Sequence, residues 1–377
     1  MPAALLTGAF GQGNLGDDAL LQAFVNALPG WNLTVTCDDP AKVEELGCLP
    51  VPSNRHWAIA RAALRADAVI VGGGTVFKTL HSTTGRRPHA LLANTSALIA
   101  VSSATSCPIA LIGVGAGALS DRLGRALAVF TSRHADLLIL RDEESAGELI
   151  RAGSTGPLRV GADPTWTLVG SPQARTAHES SIRIVPSIYA VGVDGWKGMI
   201  SRICNTVTEL LAAGHTVQLQ AWEEHPQRAK IDDKLIVDTV ASQFGGSVDV
   251  VPKPESFEAA IRSMAGIGAV VCFRFHALLA AAAAGVPAVA ISHENKLNAI
   301  ARRLEQRIAP LYFDPGSLVG QVADAVRASG PAPSVIKEQI ELADEGFRLL
   351  RVLLSNGDSD EADGMGALPL VSVPPAS

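Results

Sequence analysis

Close cysteine spacing is missing from this sequence. Its five cysteines, Cys37, Cys48, Cys107, Cys204 and Cys272, lie far apart with no CxxC pair. An odd, scattered set argues against a disulfide framework and for a reducing compartment. Cys272, inside the apolar run AVVC, reads as a core residue rather than a nucleophile. Aromatic residues are scarce too, at 5%. Few platforms are left for sugar stacking: Trp166, Trp196 and Trp222 are the candidates, and core packing explains each better. Positive charge is not in excess, since 31 Lys and Arg against 37 Asp and Glu give −6. Nothing points to a nucleic-acid partner. The start, MPAALLTGAF, lacks the basic residues and cleavage site of a secretory leader. The most apolar stretch, 277–291, is broken by Gly285 and Pro287 and is too short to span a bilayer. These absences lead us to expect a cytoplasmic protein with no transmembrane segment.

What is abundant is apolar side chain and glycine: 47% hydrophobic residues and 35 glycines over 377 positions. That length and composition suit two α/β domains with large cores. Short apolar runs (3–8, 33–37, 66–73, 109–115, 135–142, 158–161) alternate with helical patterns (18–28, 90–104, 121–133, 143–152). The alternation predicts a parallel sheet covered on both faces. It stops at the polar stretch 170–181 and restarts with SIRIVPSI, continuing through HTVQLQAW, VDVVP, AVVCF and PAVAIS. The division expected is therefore an N-terminal domain over 1–170 and a C-terminal domain over 171–330. An amphipathic helix over 331–354 and a disordered tail over 355–377 complete it. Open parallel sheets bind ligands beyond the carboxyl ends of their strands, so two such domains are expected to face a central cleft.

GQGNLGDD (11–18) has the GxGxxG spacing of a dinucleotide loop, and Asp38 lies where a ribose-binding acid would fall. The chemistry disagrees. A pyrophosphate needs an open helix N-terminus, whereas Asp17 and Asp18 are expected to cap this helix and repel a diphosphate. Gly8 is also expected to end the first strand before the fingerprint begins. Two readings stand: a turn with a cap, or a loop that offers Asn14 and Asp17 to a polyhydroxylated ligand, with Asp17 taking a proton from an attacking hydroxyl.

Arg274 and His276 end the run AVVCF and begin an alanine-rich helix. Two residues apart in extended chain, they would point the same way, beside helix N–H groups that suit an anion. An arginine buried there without a partner would cost several kcal/mol. Arg141 follows LLIL and precedes Asp142, which allows a surface ion pair with Asp142 or Glu143. Lys296, in SHENK, reads either as a solvated loop lysine or as a point charge for phosphate. His293, Arg302 and Arg303 are weaker candidates.

GAFGQGNLGDDALL (8–21), ADAVIVGGGTVF (66–77), LIGVGAGAL (111–119), LILRDEESAGELIRAG (138–153), GADPTW (161–166), CFRFHALLAAAAAGVPAVAI and SHENK occur in that order. Together they resemble the polysaccharide pyruvyl transferase family. The pattern departs at Asp18, where the family more often has glutamate, and after Gly74, where TVFKTLH puts Lys78 and His81 in place of an acidic residue. The resemblance implies a GT-B-type fold and transfer of a pyruvyl ketal from phosphoenolpyruvate to two hydroxyls of a sugar. The acceptor would be a sugar or glycan, lipid-linked or nucleotide-activated, in making cell-envelope polysaccharide. No cofactor or metal is implied. Arg141, Arg274 and Lys296 would hold the donor, with Asn14, Asp17, Gly73 and Gly74 on the acceptor side. His276 is the choice for acid–base work, since an imidazole titrates near neutrality. A nucleotide-sugar glycosyltransferase, a non-catalytic glycan-binding relative and an NAD-dependent reductase are the alternatives.

Overall fold

The computed structural model of the chain describes residues 1–80, 87–105, 107–170, 180–190, 192–224, 232–355 and 368–371. His81, the interior of the expected linker and most of the expected tail lie outside the described residues. The chain forms two compact units. The first comprises Met1–Gln12, Asp17–Thr167 and Gln339–Ser377, and the second Gly13–Gly16 and Leu168–Glu338. Two features differ from the division expected above: the glycine loop goes with the second unit, and the terminal helix goes with the first from Gln339 onward.

In the first unit, β1 (Ala3–Phe10), α1 (Leu15–Ala27), β2 (Asn32–Cys37), α2 (Pro40–Glu45), β3 (Leu49–Pro52), α3 (His56–Ala63), β4 (Ala68–Gly72) and β5 (Thr75–Phe77) follow in order. Then come α4 (Ala90–Ser102), β6 (Ile109–Ala116), α5 (Arg122–Arg133), β7 (Leu137–Leu140), α6 (Glu143–Ala152) and β8 (Leu158–Val160). Strands such as AVIVG, IALIGVGA and LLIL are buried at every position, which is why they read as unbroken apolar runs. β1 continues through Gly8 to Phe10, with an irregular register against β2. The strand therefore does not end at Gly8 as expected.

The second unit runs β9 (Ser181–Val185), α7 (Gly192–Ala212), β10 (Thr216–Gln220), α8 (Asp233–Ala241), β11 (Asp249–Val251), α9 (Phe257–Met264) and β12 (Ala269–Cys272). It continues with α10 (Phe275–Ala283), β13 (Ala288–Ser292), α11 (Asn295–Arg303), β14 (Arg307–Pro310) and α12 (Pro315–Arg327). Its sheet order is β11-β10-β9-β12-β13-β14, with parallel pairing throughout. This is the 3-2-1-4-5-6 order of a dinucleotide-type fold. Ile182, Ile184, Val271, Val289 and Ile291 form its core with Val207 and Leu210 of α7. Helix α10 is apolar all round, and all of its residues but His276 are buried.

The chain then closes with α13 (Pro333–Leu354) and β15 (Leu370–Val371). Phe347 of α13 meets Phe24 of α1 edge to face at 5.1 Å, and Arg351 donates to the Ala27 carbonyl at 3.3 Å. β15 pairs antiparallel with β8 and completes a first-unit sheet of order β15-β8-β7-β6-β4-β1-β2-β3, with β5 on β6. Leu370 and Val371 are thus sheet residues, a correction to the disordered tail. Strand order reverses at β1/β4 in one unit and at β9/β12 in the other, and residues just past those ends are where such sheets place ligands.

Candidate functional site at the strand ends

Arg274 sits two residues past the end of β12 as the N-cap of α10, with φ −109° and ψ 132°. His276 lies one step inside the helix. The two are therefore not neighbours on one extended strand, and the expected i, i+2 convergence gives way to a helix start. The guanidinium is gripped bidentately by Asp233, with Nε to Oδ2 at 2.9 Å and Nη2 to Oδ1 at 2.6 Å. Glu223 Oε2 adds a third contact at 2.7 Å. Asp233, with its side chain fully buried, also accepts the backbone N–H groups of Ile188 at 3.1 Å and Glu223 at 3.2 Å. Burial alone would lower the Arg274 pKa, but the two carboxylates outweigh it and raise it, fixing the guanidinium in its charged form. One cation faces two anions. The buried arginine has its partners, and as a trio they carry no surplus positive charge for an anionic ligand.

The glycine loop is held by the same unit. Leu15 N–H donates to the Trp222 carbonyl and Glu224 N–H to the Gly13 carbonyl, each at 3.1 Å. Asn14 forms an antiparallel bridge with Glu223, and Lys253 Nζ donates to the Gly13 carbonyl at 2.5 Å. Asn14 Oδ1 accepts from Gly16 N–H at 2.9 Å, so Asn14 caps this helix. Asp17 and Asp18, expected as the caps, lie within its first turn, and Asp18 pairs with Lys42 at 2.6 Å. A Cβ on Gly16 would fall 1.9 Å from His276 Nδ1. The third glycine of the apparent fingerprint thus makes room for an imidazole rather than for a nucleotide.

Lys296 lies in the first turn of α11 and pairs with Glu294 at 2.6 Å while remaining partly exposed. His293 Nε2 donates to the Phe273 carbonyl at 2.7 Å, tying the ends of β12 and β13 together. Burial lowers the His293 pKa although Glu294 and the Phe273 carbonyl pull it upward. Neutral with its proton on Nε2, the ring presents Nδ1 as an acceptor. The N-cap side chains of α10 and α11 make no capping hydrogen bond, whereas Asp232, Ser256 and Asp314 cap α8, α9 and α12.

In the first unit, Arg141 follows β7 with its side chain only 3% exposed. It donates from Nε to Asp142 Oδ2 at 3.2 Å and from Nη2 to Thr75 Oγ1 at 2.9 Å. It is a buried strut, not the surface ion pair considered above. Asp142 uses its other oxygen to cap α6, accepting from Ser145 N–H at 2.7 Å. Gly115 passes so close that a Cβ there would lie 2.4 Å from Arg141 Nη2. Gly73 and Gly74 form the left-handed turn between β4 and β5, with φ 60° and 72°. Lys78 follows β5 directly. Trp166 and Trp222 are fully buried and serve the cores, and Trp196 packs against the second core. Cys272 is buried, which pushes its thiol pKa far up, and all five cysteines are free.

Asp233, Glu223 and Lys253 escaped the sequence reading. Each stands just past a strand of the second sheet or opens the next helix, the position that drew attention to Arg274. Among the described residues, no group of three or more His, Cys, Asp or Glu could hold a metal ion, and no helix is long and apolar enough to cross a membrane.

The family model for polysaccharide pyruvyl transferase matches residues 14–295, most of the chain. The chain belongs to that family. No curated protein matches it. Among solved structures it is similar to Methanocaldococcus jannaschii UDP-GlcNAc 2-epimerase in complex with UDP-GlcNAc and UDP. There the TM-score is 0.60 at 14% identity, covering 94% of this chain and 100% of that one. It is also similar to Anabaena HepE in complex with UDP and glucose, with TM-score 0.56, 10% identity and coverage of 93% and 99%. The Neisseria meningitidis UDP-GlcNAc 2-epimerase bound to UDP-GlcNAc gives 0.54 and 11% over 94% and 100%. At such identities the likeness establishes the fold. Two Rossmann-like domains of GT-B type are what this member of the family has.

Proposed function

We propose that this transferase moves a pyruvyl group from phosphoenolpyruvate to two hydroxyls of a sugar or glycan, forming a ketal and releasing phosphate. The observation that carries the reading is the family match over 14–295, which encloses Asn14, Arg141, Arg274 and His276 and ends beside Lys296. The methylene carbon of the donor gains a proton, a sugar hydroxyl bonds to the adjacent carbon, and phosphate leaves with its electron pair. A second hydroxyl closes the ketal on the same carbon. One hydroxyl proton replaces the proton given to the methylene, and the other departs with phosphate. His276 is the acid–base group, because an imidazole can both give and take a proton. Lys296 and the N-termini of α10 and α11 hold the donor's anionic groups. Arg274 orients this edge through Asp233 and Glu223, a positioning role set by its two carboxylates. For Arg141 as a donor cation, Asp17 as a base, and Asn14, Gly73 and Gly74 toward the acceptor, the support is the family pattern.

One observation favours a second reading, a nucleotide-sugar glycosyltransferase: the similar structures were solved with UDP or UDP-GlcNAc bound. Calorimetric titration of the full chain separates the two. The proposal expects saturable heat from phosphoenolpyruvate, weakened about tenfold by Lys296→Met, a loss of about 1.4 kcal/mol. Saturable heat from UDP-GlcNAc with none from phosphoenolpyruvate would move the chain to the second reading.

A further inference from the structure

Helix α3 and the strand before it carry a surface that the transfer reaction does not use. Residues 49–66 contain Arg55, His56, Arg61 and Arg65 and no acidic residue, within a chain whose net charge is −6. The inner face of α3 is fixed: Ala63 is fully buried, and Ile59, Ala62 and Ala66 pack against Leu5, Val69 and Leu98. At 100° per residue, Trp57, Arg61 and Leu64 then fall on the opposite side, within one narrow ridge. Trp57 is 66% exposed and Leu64 54% exposed, and Leu49 of β3 is 63% exposed. Three of the large exposed apolar side chains in the described residues thus lie in this one stretch. Arg55, Arg61 and Arg65 are exposed, and none of them forms an ion pair among the described residues. Several surface arginines of other helices are paired with nearby acids, as in Arg151–Glu148, Arg327–Asp324 and Arg348–Glu345. The adjacent Asp67 turns its carboxylate to the Ala3 N–H at 2.8 Å.

We propose that this ridge docks the protein on an anionic lipid surface. Trp57 and Leu64 would enter the headgroup boundary while Arg55, Arg61 and Arg65 meet lipid phosphates, the pattern of an interfacial helix. Arginine stems add apolar contact while the guanidinium stays with the headgroups. A bilayer is the occupant because the surface is small and sets cations beside exposed apolar side chains. An 8-residue helix is only about 12 Å long, too short to supply the ~800 Å² per partner of a standard protein interface. Strand addition is blocked as well, since edge strand β3 carries Pro50 and Pro52, which lack the N–H groups a paired strand requires. With no membrane-crossing helix among the described residues, this contact is peripheral and reversible. It stands independently of the donor and acceptor assigned above.

The test is sedimentation of the full chain with protein-free vesicles of phosphatidylcholine, with and without phosphatidylglycerol, at low and high salt. The expected result is pelleting only with phosphatidylglycerol, reversed by salt, and weakened about fivefold for each arginine in Arg61→Gln and Arg65→Gln. Trp57→Ser should weaken it too. These side chains are solvated, so all three variants should keep the wild-type melting temperature, which checks that the fold survives. Equal binding to both vesicles, no pelleting with either, or variants that pellet like wild type would each overturn the proposal.

Discussion

Arg141 and Arg274 invite comparison. Each follows the last residues of a buried parallel strand, and each stands where a helix begins. Arg141 donates to the carboxylate of Asp142, which also caps a helix, and to the hydroxyl of Thr75. Arg274 has two buried carboxylates, one of them in bidentate contact. Asp142 answers the Arg141 charge, whereas two carboxylates converge on the Arg274 guanidinium. Burying an ion is costly unless it is paired and hydrogen-bonded, and the Arg274 guanidinium joins the end of β12 to Glu223 past β10 and to Asp233 at the start of α8. Both arginines follow an apolar run in sequence, and their counter-charges separate them.

The largest effect should come from the hub of the Arg274 cluster. Asp233→Asn removes the charge opposite Arg274 and disturbs the acceptors of two backbone N–H groups. We expect a loss of about 3–5 kcal/mol, read as a lower urea midpoint for the second unit. An unchanged midpoint would erase the distinction between the two arginines. Next comes Gly16→Ala, whose new Cβ meets His276 Nδ1 at 1.9 Å and must displace the ring or the loop. Turnover should fall at least about tenfold, the rate cost of a ~1.4 kcal/mol barrier increase, while the first unit melts as before. Arg141→Lys keeps the charge but loses the fork that joins Asp142 to Thr75, for about 1–2 kcal/mol by the same urea assay. The smallest effect concerns His293. Its folded pKa lies below the ordinary 6.5, so the unfolded chain takes up the proton first. Stability should therefore fall as pH drops below about 6.5 and level off once the folded form is protonated too. His293→Gln, which can still donate to the Phe273 carbonyl, should flatten that slope in melts from pH 7 to 5.

Much of the scaffold was legible because parallel strands are buried on both faces. LLIL, AVVC and AVAIS announce themselves as apolar runs, and the helix over Pro333–Leu354 shows its stripe at Ile336, Ile340, Phe347 and Leu350. β3 was not legible, since LPVP carries two prolines and lies at a sheet edge. Nor were β5, α11 or α12, the first because a strand of three residues has no period to read. At the site, Arg274 and His276 stood out through charge set in an apolar segment. Their partners did not, because Asp233 lies 41 residues from Arg274 in sequence, and only the β9-β10-β12 neighbourhood brings them together. The glycine loop misled for a related reason: its spacing records close backbone approach, and what approaches Gly16 is an imidazole.

The central claim is that the Arg274 charge is held within the protein, whereas Arg141 and Lys296 are the cations proposed for the donor. Measuring phosphoenolpyruvate affinity and the urea midpoint together in Arg141→Lys and Arg274→Lys tests it most directly. The account predicts that Arg141→Lys weakens phosphoenolpyruvate about tenfold, some 1.4 kcal/mol, with a modest loss of stability. Arg274→Lys should lower the midpoint strongly while its folded fraction binds the donor within about threefold of wild type, under 1 kcal/mol. An Arg274→Lys protein as stable as wild type that no longer binds phosphoenolpyruvate, beside an Arg141→Lys protein that binds it normally, would contradict the account.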